Sequence, residues 1–218
     1  MKYVFYVLGI LILTLGISFT IQSDLGMSPF DALLVGLSLN VGSWEIIIAL
    51  LLICCNSILK RYRPEILGLL TAFITGIGID VWLFLLRNLI TPEIWYSKMI
   101  YFGIGLVITG LGTAIYLQTN FAPIPIDRLT LIIQELTRTS IFISRTCIYL
   151  IFLIMATILH GPIGVGTILT VCLGGLLLNF FMPLTKKVID HLFVHQSTTS
   201  PSYKSNKAAD HNDNKSIF

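Results

Sequence analysis

The chain has 218 residues, 55% of them apolar and 11% charged, with a formal net charge of +3. An ordinary soluble domain carries about 25% charged residues, and a soluble core of this size could not hide so much apolar surface. The mean hydropathy of +0.87 points instead to a polytopic membrane protein whose first partner is the lipid bilayer. No basic surface remains once the loops and tail are set aside, so nucleic acid is excluded as a partner.

Residues 3–21 contain no charged side chain. At 1.5 Å per residue they cross about 30 Å of hydrocarbon. Met1-Lys2 ahead of an apolar run imitates a signal peptide. No small-x-small cleavage site precedes Asp24, so the run is read as a mature span. A short helix is predicted over 28–40. Ser28 is suited to its N-cap, Pro29 to its first position, and Asp31 to the third, a capping box with Asp in place of Glu. At roughly 18 Å this helix is too short to cross, so it is re-entrant or interfacial.

A second span covers 44–59, with Trp44 at one interface and Lys60, Arg61 and Arg63 at the other. A third covers 66–86, interrupted only by Asp80. A loop over 87–98 places Trp95 and Tyr96 at membrane level. The fourth span, 100–117, carries Gly103, Gly105, Gly110 and Gly112, which allow close helix approach. A second short helix follows over 125–137. The fifth span, 141–159, has Arg145 in its first turns and ends at His160-Gly161-Pro162. The sixth, 163–184, stops before Lys186 and Lys187, and 188–218 reads as a polar, largely disordered cytoplasmic tail. Cys54, Cys55, Cys147 and Cys172 all lie in apolar runs and read as small packing residues.

The chain repeats itself. At a shift of 96, Leu15, Gly16, Gln22, Pro29 and Asp31 fall on Leu111, Gly112, Gln118, Pro125 and Asp127. At a shift of 98, Gly68 and Gly76 fall on Gly166 and Gly174. The reading is two membrane repeats, 1–98 and 99–187. If the short helices do not cross, each repeat has three spans and the two run in opposite directions. If they cross, each has four and the repeats are parallel. The positive-inside rule favours six spans: Lys2, Lys60, Arg61, Arg63, Arg128, Arg138, Lys186 and Lys187 then lie inside, and only Arg87 and Lys98 outside. The expected fold is an all-α polytopic bundle of six spans with two short helices, both termini cytoplasmic.

Three stretches carry a family likeness: Gly26-Met27-Ser28-Pro29-Phe30-Asp31-Ala32-Leu33, Gly76-Ile77-Gly78-Ile79-Asp80, and Gly166-Thr167. In these the chain resembles the YczE/YyaS/YitT family of bacterial integral membrane proteins, most closely its YczE-type branch, over roughly residues 5 to 183. The resemblance implies a multi-pass protein of the cytoplasmic (inner) membrane and supplies no mechanism. In the second repeat, Phe121-Ala122-Pro123-Ile124-Pro125 departs from Leu25-Gly26-Met27-Ser28-Pro29 and lacks the Ser cap, so the two short helices need not do the same job.

The candidate polar path is Asp80, Asp31, Asp127, Gln22, Gln118 and Arg145. A carboxylate in hydrocarbon costs at least roughly 2.5 kcal/mol, so Asp80 is expected to face the bundle interior or a water-filled path or to be protonated, unless it is an acid near the outer interface held by a neighbouring hydroxyl or by water. Asp31 and Asp127 read first as helix caps, with their recurrence in both repeats favouring a further role. Gln22 and Gln118 either satisfy the chain break after a span or line a shared site. Arg145 either pairs with Glu135 or Asp127 or, as preferred, snorkels to the inner surface. No nucleotide, metalloprotease or hydrolase motif is present, so no enzyme activity, cofactor or metal is expected. Broken helices in inverted repeats favour a small-molecule or ion transporter. The scarcity of polar residues favours the alternative, a non-transporting accessory protein that binds a membrane partner or a second copy of itself.

Overall fold

The computed structural model describes residues 2–37, 41–61, 66–87, 89 and 92–199, with side chains throughout except at 34–36, 41–46 and 192–199. Among the described residues the chain is entirely helical: α1 Lys2–Gln22, α2 Pro29–Leu37, α3 Val41–Lys60, α4 Leu67–Leu86, α5 Trp95–Gln118, α6 Pro125–Thr137, α7 Ile141–Ile158 and α8 Val165–Thr199. Helix is the one open-ended element that satisfies all its own backbone groups in hydrocarbon. Five of these, α1, α4, α5, α7 and α8, are long and apolar enough to cross a membrane. The apolar part of α3 is shorter, Ile47–Lys60.

The predicted elements recur with small shifts. α5 begins at Trp95, inside the expected loop, and α8 runs past Lys187 to Thr199. No Gly or Pro follows Pro183 before Pro201, so Lys186 and Lys187 mark an interface without ending the helix. The start of the expected tail is thus helical. The remainder of that tail, like residues 38–40 of the first short helix, lies outside the described residues.

The centre of the bundle is the crossing of α1 with α5. A Cβ added at Gly9 would stand 2.6 Å from the Tyr116 amide nitrogen, and one at Gly105 would stand 2.8 Å from that of Thr20. One at Gly16 would meet the Thr109 amide, and one at Gly112 that of Leu13. These contacts come in pairs that the shift of 96 exchanges. Gly9 also lies against Gly112 and Gly16 against Gly105, so the two helices are antiparallel. Small residues at such crossings let backbones approach closely enough for packing alone to hold them.

The remaining helices flank this pair. α4 lies beside α1, and α8 beside α5. Swapping α1–α4 for α5–α8 turns each packed pair into another: α2·α7 into α3·α6, α2·α3 into α6·α7, α3·α4 into α7·α8, and α2·α8 into α4·α6. The loops before α2 and α6 match as well. Asp24 and Asn120 both have left-handed backbones (φ 54° and 49°), as do Gly26 and Ala122. Thr71 donates to the Ala122 carbonyl at 2.7 Å, and Thr167 lies against Gly26.

Two surface ion pairs tie elements at the ends of the bundle: Lys98–Asp24 and Lys60–Glu135, each at 2.8 Å. Lys98 holds the Asp24 carboxyl below its ordinary value, and Lys60 does the same for Glu135. Both acids are exposed, so these pairs add little to stability.

Candidate functional site

The helices surround a cavity of about 170 Å³. The starts of both short helices reach it: Ser28, Phe30 and Asp31 from α2, and Pro125, Ile126 and Asp127 from α6. Most of the remaining wall is apolar, with threonines from α1, α4, α5 and α8. Thr75, Thr113 and Thr170 donate to carbonyls one turn back, which hides their polarity within their own helices.

At α2 the capping expectation holds. The Asp31 amide donates to Ser28 Oγ at 3.2 Å, and the Ser28 hydroxyl donates to Asp31 Oδ2 at 2.7 Å. The start of α6 is different. Ile124 stands at its N-cap and makes no side-chain cap bond. Asp127 instead accepts from the Tyr116 hydroxyl and from Arg145 Nη1 at 3.1 Å. Arg145 Nη2 donates to the Tyr149 hydroxyl at 2.8 Å, and the guanidinium carbon lies 5.1 Å from the Tyr149 ring centroid. Arg145 is only 7% exposed and Asp127 5%. The preferred snorkelling reading of Arg145 is therefore corrected: the arginine turns inward because a buried carboxylate lies within its reach. Glu135, the other partner considered, is taken by Lys60.

The structure brings Asp31, Asp127 and Arg145 to one cavity and leaves the other candidates elsewhere. Gln22 Nε2 donates to the Leu83 carbonyl at 3.4 Å, and Gln118 Nε2 to that of Met182 at 2.9 Å. Each ties the end of its span to the neighbouring helix. Asp80 is exposed, which corrects the expectation that it faces the interior. The buried face of α4 holds Gly68, Thr71 and Thr75, and Gly78 abuts Thr14. Two residues beyond Gly78, at 100° per residue, a side chain points away from that face.

Three participants escaped the sequence reading. Tyr149 lies one turn after Arg145, a spacing that could have flagged it. Tyr116 gave no local signal. Neither did Asn56, whose amide donates to the Pro125 carbonyl at 2.9 Å and holds α3 to the start of α6. Cys54, Cys147 and Cys172 are exposed rather than packed, and all four cysteines are free. Among the described residues no group of three or more His, Cys, Asp or Glu side chains could hold a metal ion.

A family of unknown function (DUF6198) matches residues 1–183. The chain is 62% identical over 191 residues to the uncharacterized protein YyaS of Bacillus subtilis, covering 86% of this chain and 95% of that one. It is 35% identical over 196 residues to the uncharacterized membrane protein YczE of the same organism, covering 88% and 90%. A third relative, an uncharacterized protein of Haemophilus influenzae, is 27% identical over 179 residues, 81% of each chain. No solved structure matches.

Proposed function

The chain belongs to the DUF6198 family, and from its membrane-spanning architecture we propose that it is a small-molecule or ion transporter built from two inverted repeats. The observation that carries this reading is the cavity between the Pro-led starts of α2 and α6. Secondary transporters bind substrate where two short helices of oppositely oriented repeats meet near the membrane midplane. The paired glycine contacts of α1 and α5 support the inverted relation. Among the described residues charged side chains are otherwise kept out of the buried interior, so Asp31, Asp127 and Arg145 at one cavity favour a polar or charged substrate over a structural role alone.

The distribution of Lys and Arg supports an inner-membrane orientation with both termini cytoplasmic. No catalytic group or cofactor is part of the proposal. The second reading, an accessory protein that binds a membrane partner or another copy of itself, draws on α4. Of the five long helices it is the least buried, and Phe73, Ile77, Val81 and Phe84 are exposed along it.

Alternating access can be tested without knowing the substrate. Thr109 lines the cavity. In a background with all four cysteines replaced by serine, a Thr109→Cys variant is reconstituted and treated with a membrane-impermeant thiol reagent from each side in turn. A transporter exposes this position to both sides. Labelling from one side only, or from neither, would overturn the transport reading and leave the accessory one.

A further inference from the structure

The two repeats differ at the cavity in one charge. The shift of 96 that places Asp31 on Asp127 also places Ala49 on Arg145. Asp127 has its arginine, at 3.1 Å. The position corresponding to Arg145 is Ala49, and Asp31 and Ala49 both line the cavity. Among the described residues the side-chain hydrogen bonds of Asp31 are those with Ser28. Asp31, Asp127 and Arg145 are the charged residues of the wall, so with both acids ionised it carries one uncompensated negative charge. In a low-dielectric site such a charge strongly favours a monovalent cation as its counterpart.

The rest of the wall selects among cations. A sodium or calcium ion needs several oxygen ligands in place of its water, whereas most of this wall is apolar. The rings of Phe30 and Phe102 line the cavity and suit an ammonium group through their electron-rich faces. A volume of about 170 Å³ is small beside the roughly 300–1,000 Å³ of pockets for drug-sized ligands. Two wall groups, Thr109 Oγ1 and the buried Arg145 Nε, have no hydrogen-bond partner among the described residues, and both can donate to an oxygen.

We infer that this cavity binds a small organic ammonium ion carrying an oxygen acceptor, with Asp31 as the counter-ion and Ala49 as the residue that leaves room for it. The inference rests on the cavity being the substrate site and names its substrate class. The ligand's positive charge takes the place that Arg145 occupies in the other repeat.

The test is calorimetric titration of the purified full-length protein in detergent with choline, tetramethylammonium and sodium as probes. Choline should bind more tightly than tetramethylammonium, and sodium should not compete. Asp31→Asn should weaken choline binding by about tenfold or more. Ala49→Arg supplies the missing internal cation and should abolish binding with Asp31 still in place; gel filtration shows whether it folds, and Asp31→Asn decides alone if it does not. Wild-type protein that binds neither ammonium, or Asp31→Asn protein that binds choline like wild type, overturns the inference. The transport reading fails separately. Binding through Asp31 without two-sided access at Thr109 keeps this site and removes transport. Two-sided access without ammonium binding does the reverse.

Discussion

Arg145 is costly to remove. Its guanidinium is buried and bonded to Asp127 and Tyr149. Truncation would leave a buried carboxylate facing apolar walls with only the Tyr116 hydroxyl for support. Breaking a buried pair in this way costs about 3–5 kcal/mol. Arg145→Ala is therefore expected to lower the thermal unfolding temperature in detergent markedly, and Asp127→Asn combined with Arg145→Met to recover much of the loss. Equal unfolding temperatures for Arg145→Ala and wild type would show that the pair is not formed. At this scale the sequence was only half legible. Asp31 follows a hydroxyl at the right spacing: its amide takes the Ser28 cap that spacing predicts, while its carboxylate accepts from the Ser28 hydroxyl rather than from the Ser28 amide. Asp127 occupies the same position after Ile124, where no hydroxyl is available to cap, and its partners lie on α5 and α7. Nothing within a turn of Asp127 announces Tyr116, because that contact exists only after the chain has reversed direction between α5 and α6.

Among the elements, α5 separates glycines that matter from those that do not. Gly105 and Gly112 press against the α1 backbone, and Gly110 against Leu177 of α8, whereas a Cβ at Gly103 would meet nothing within 4 Å. Gly112→Val should cost about 3 kcal/mol or more through overpacking. Gly103→Ala should be neutral or stabilise by about 0.5–1 kcal/mol, since glycine is the poorer helix former. Unfolding curves of the two variants side by side check this; similar behaviour would mean that α1 and α5 do not cross as described. The sequence shows four glycines on one span and cannot sort them, because a helix that is apolar all round has no polar face to fix its rotation. The same ambiguity misplaced Asp80. An acid in an apolar run draws attention to itself, yet its face is set by Thr71 and Gly78, which pack on α1.

For the whole molecule, hydropathy located five of the six expected spans, because the bilayer leaves few alternatives to a helix of some 20 residues; the second, in α3, has too short an apolar run. The direction of each proposed repeat is a separate matter, and chemical labelling can measure it. Single cysteines at Met27 and Ala122, in the serine background, stand 95 residues apart at the starts of α2 and α6. In intact cells an impermeant thiol reagent should label Met27, and Ala122 only after the membrane is opened. Outside labelling at both positions would make the repeats parallel and remove the main support for the transporter analogy.

The length of α8 carries a last consequence. Its 35 residues extend about 52 Å at 1.5 Å each, against roughly 30 Å of hydrocarbon. With Lys186 and Lys187 at the interface, about 20 Å of helix extends beyond it as a mast, its base held against the protein through the buried Ile189. That height exceeds two screening lengths of about 8 Å at physiological salt. The top of the mast is thus electrically remote from the headgroups, and a fluorophore placed at Thr199 would report on the aqueous phase.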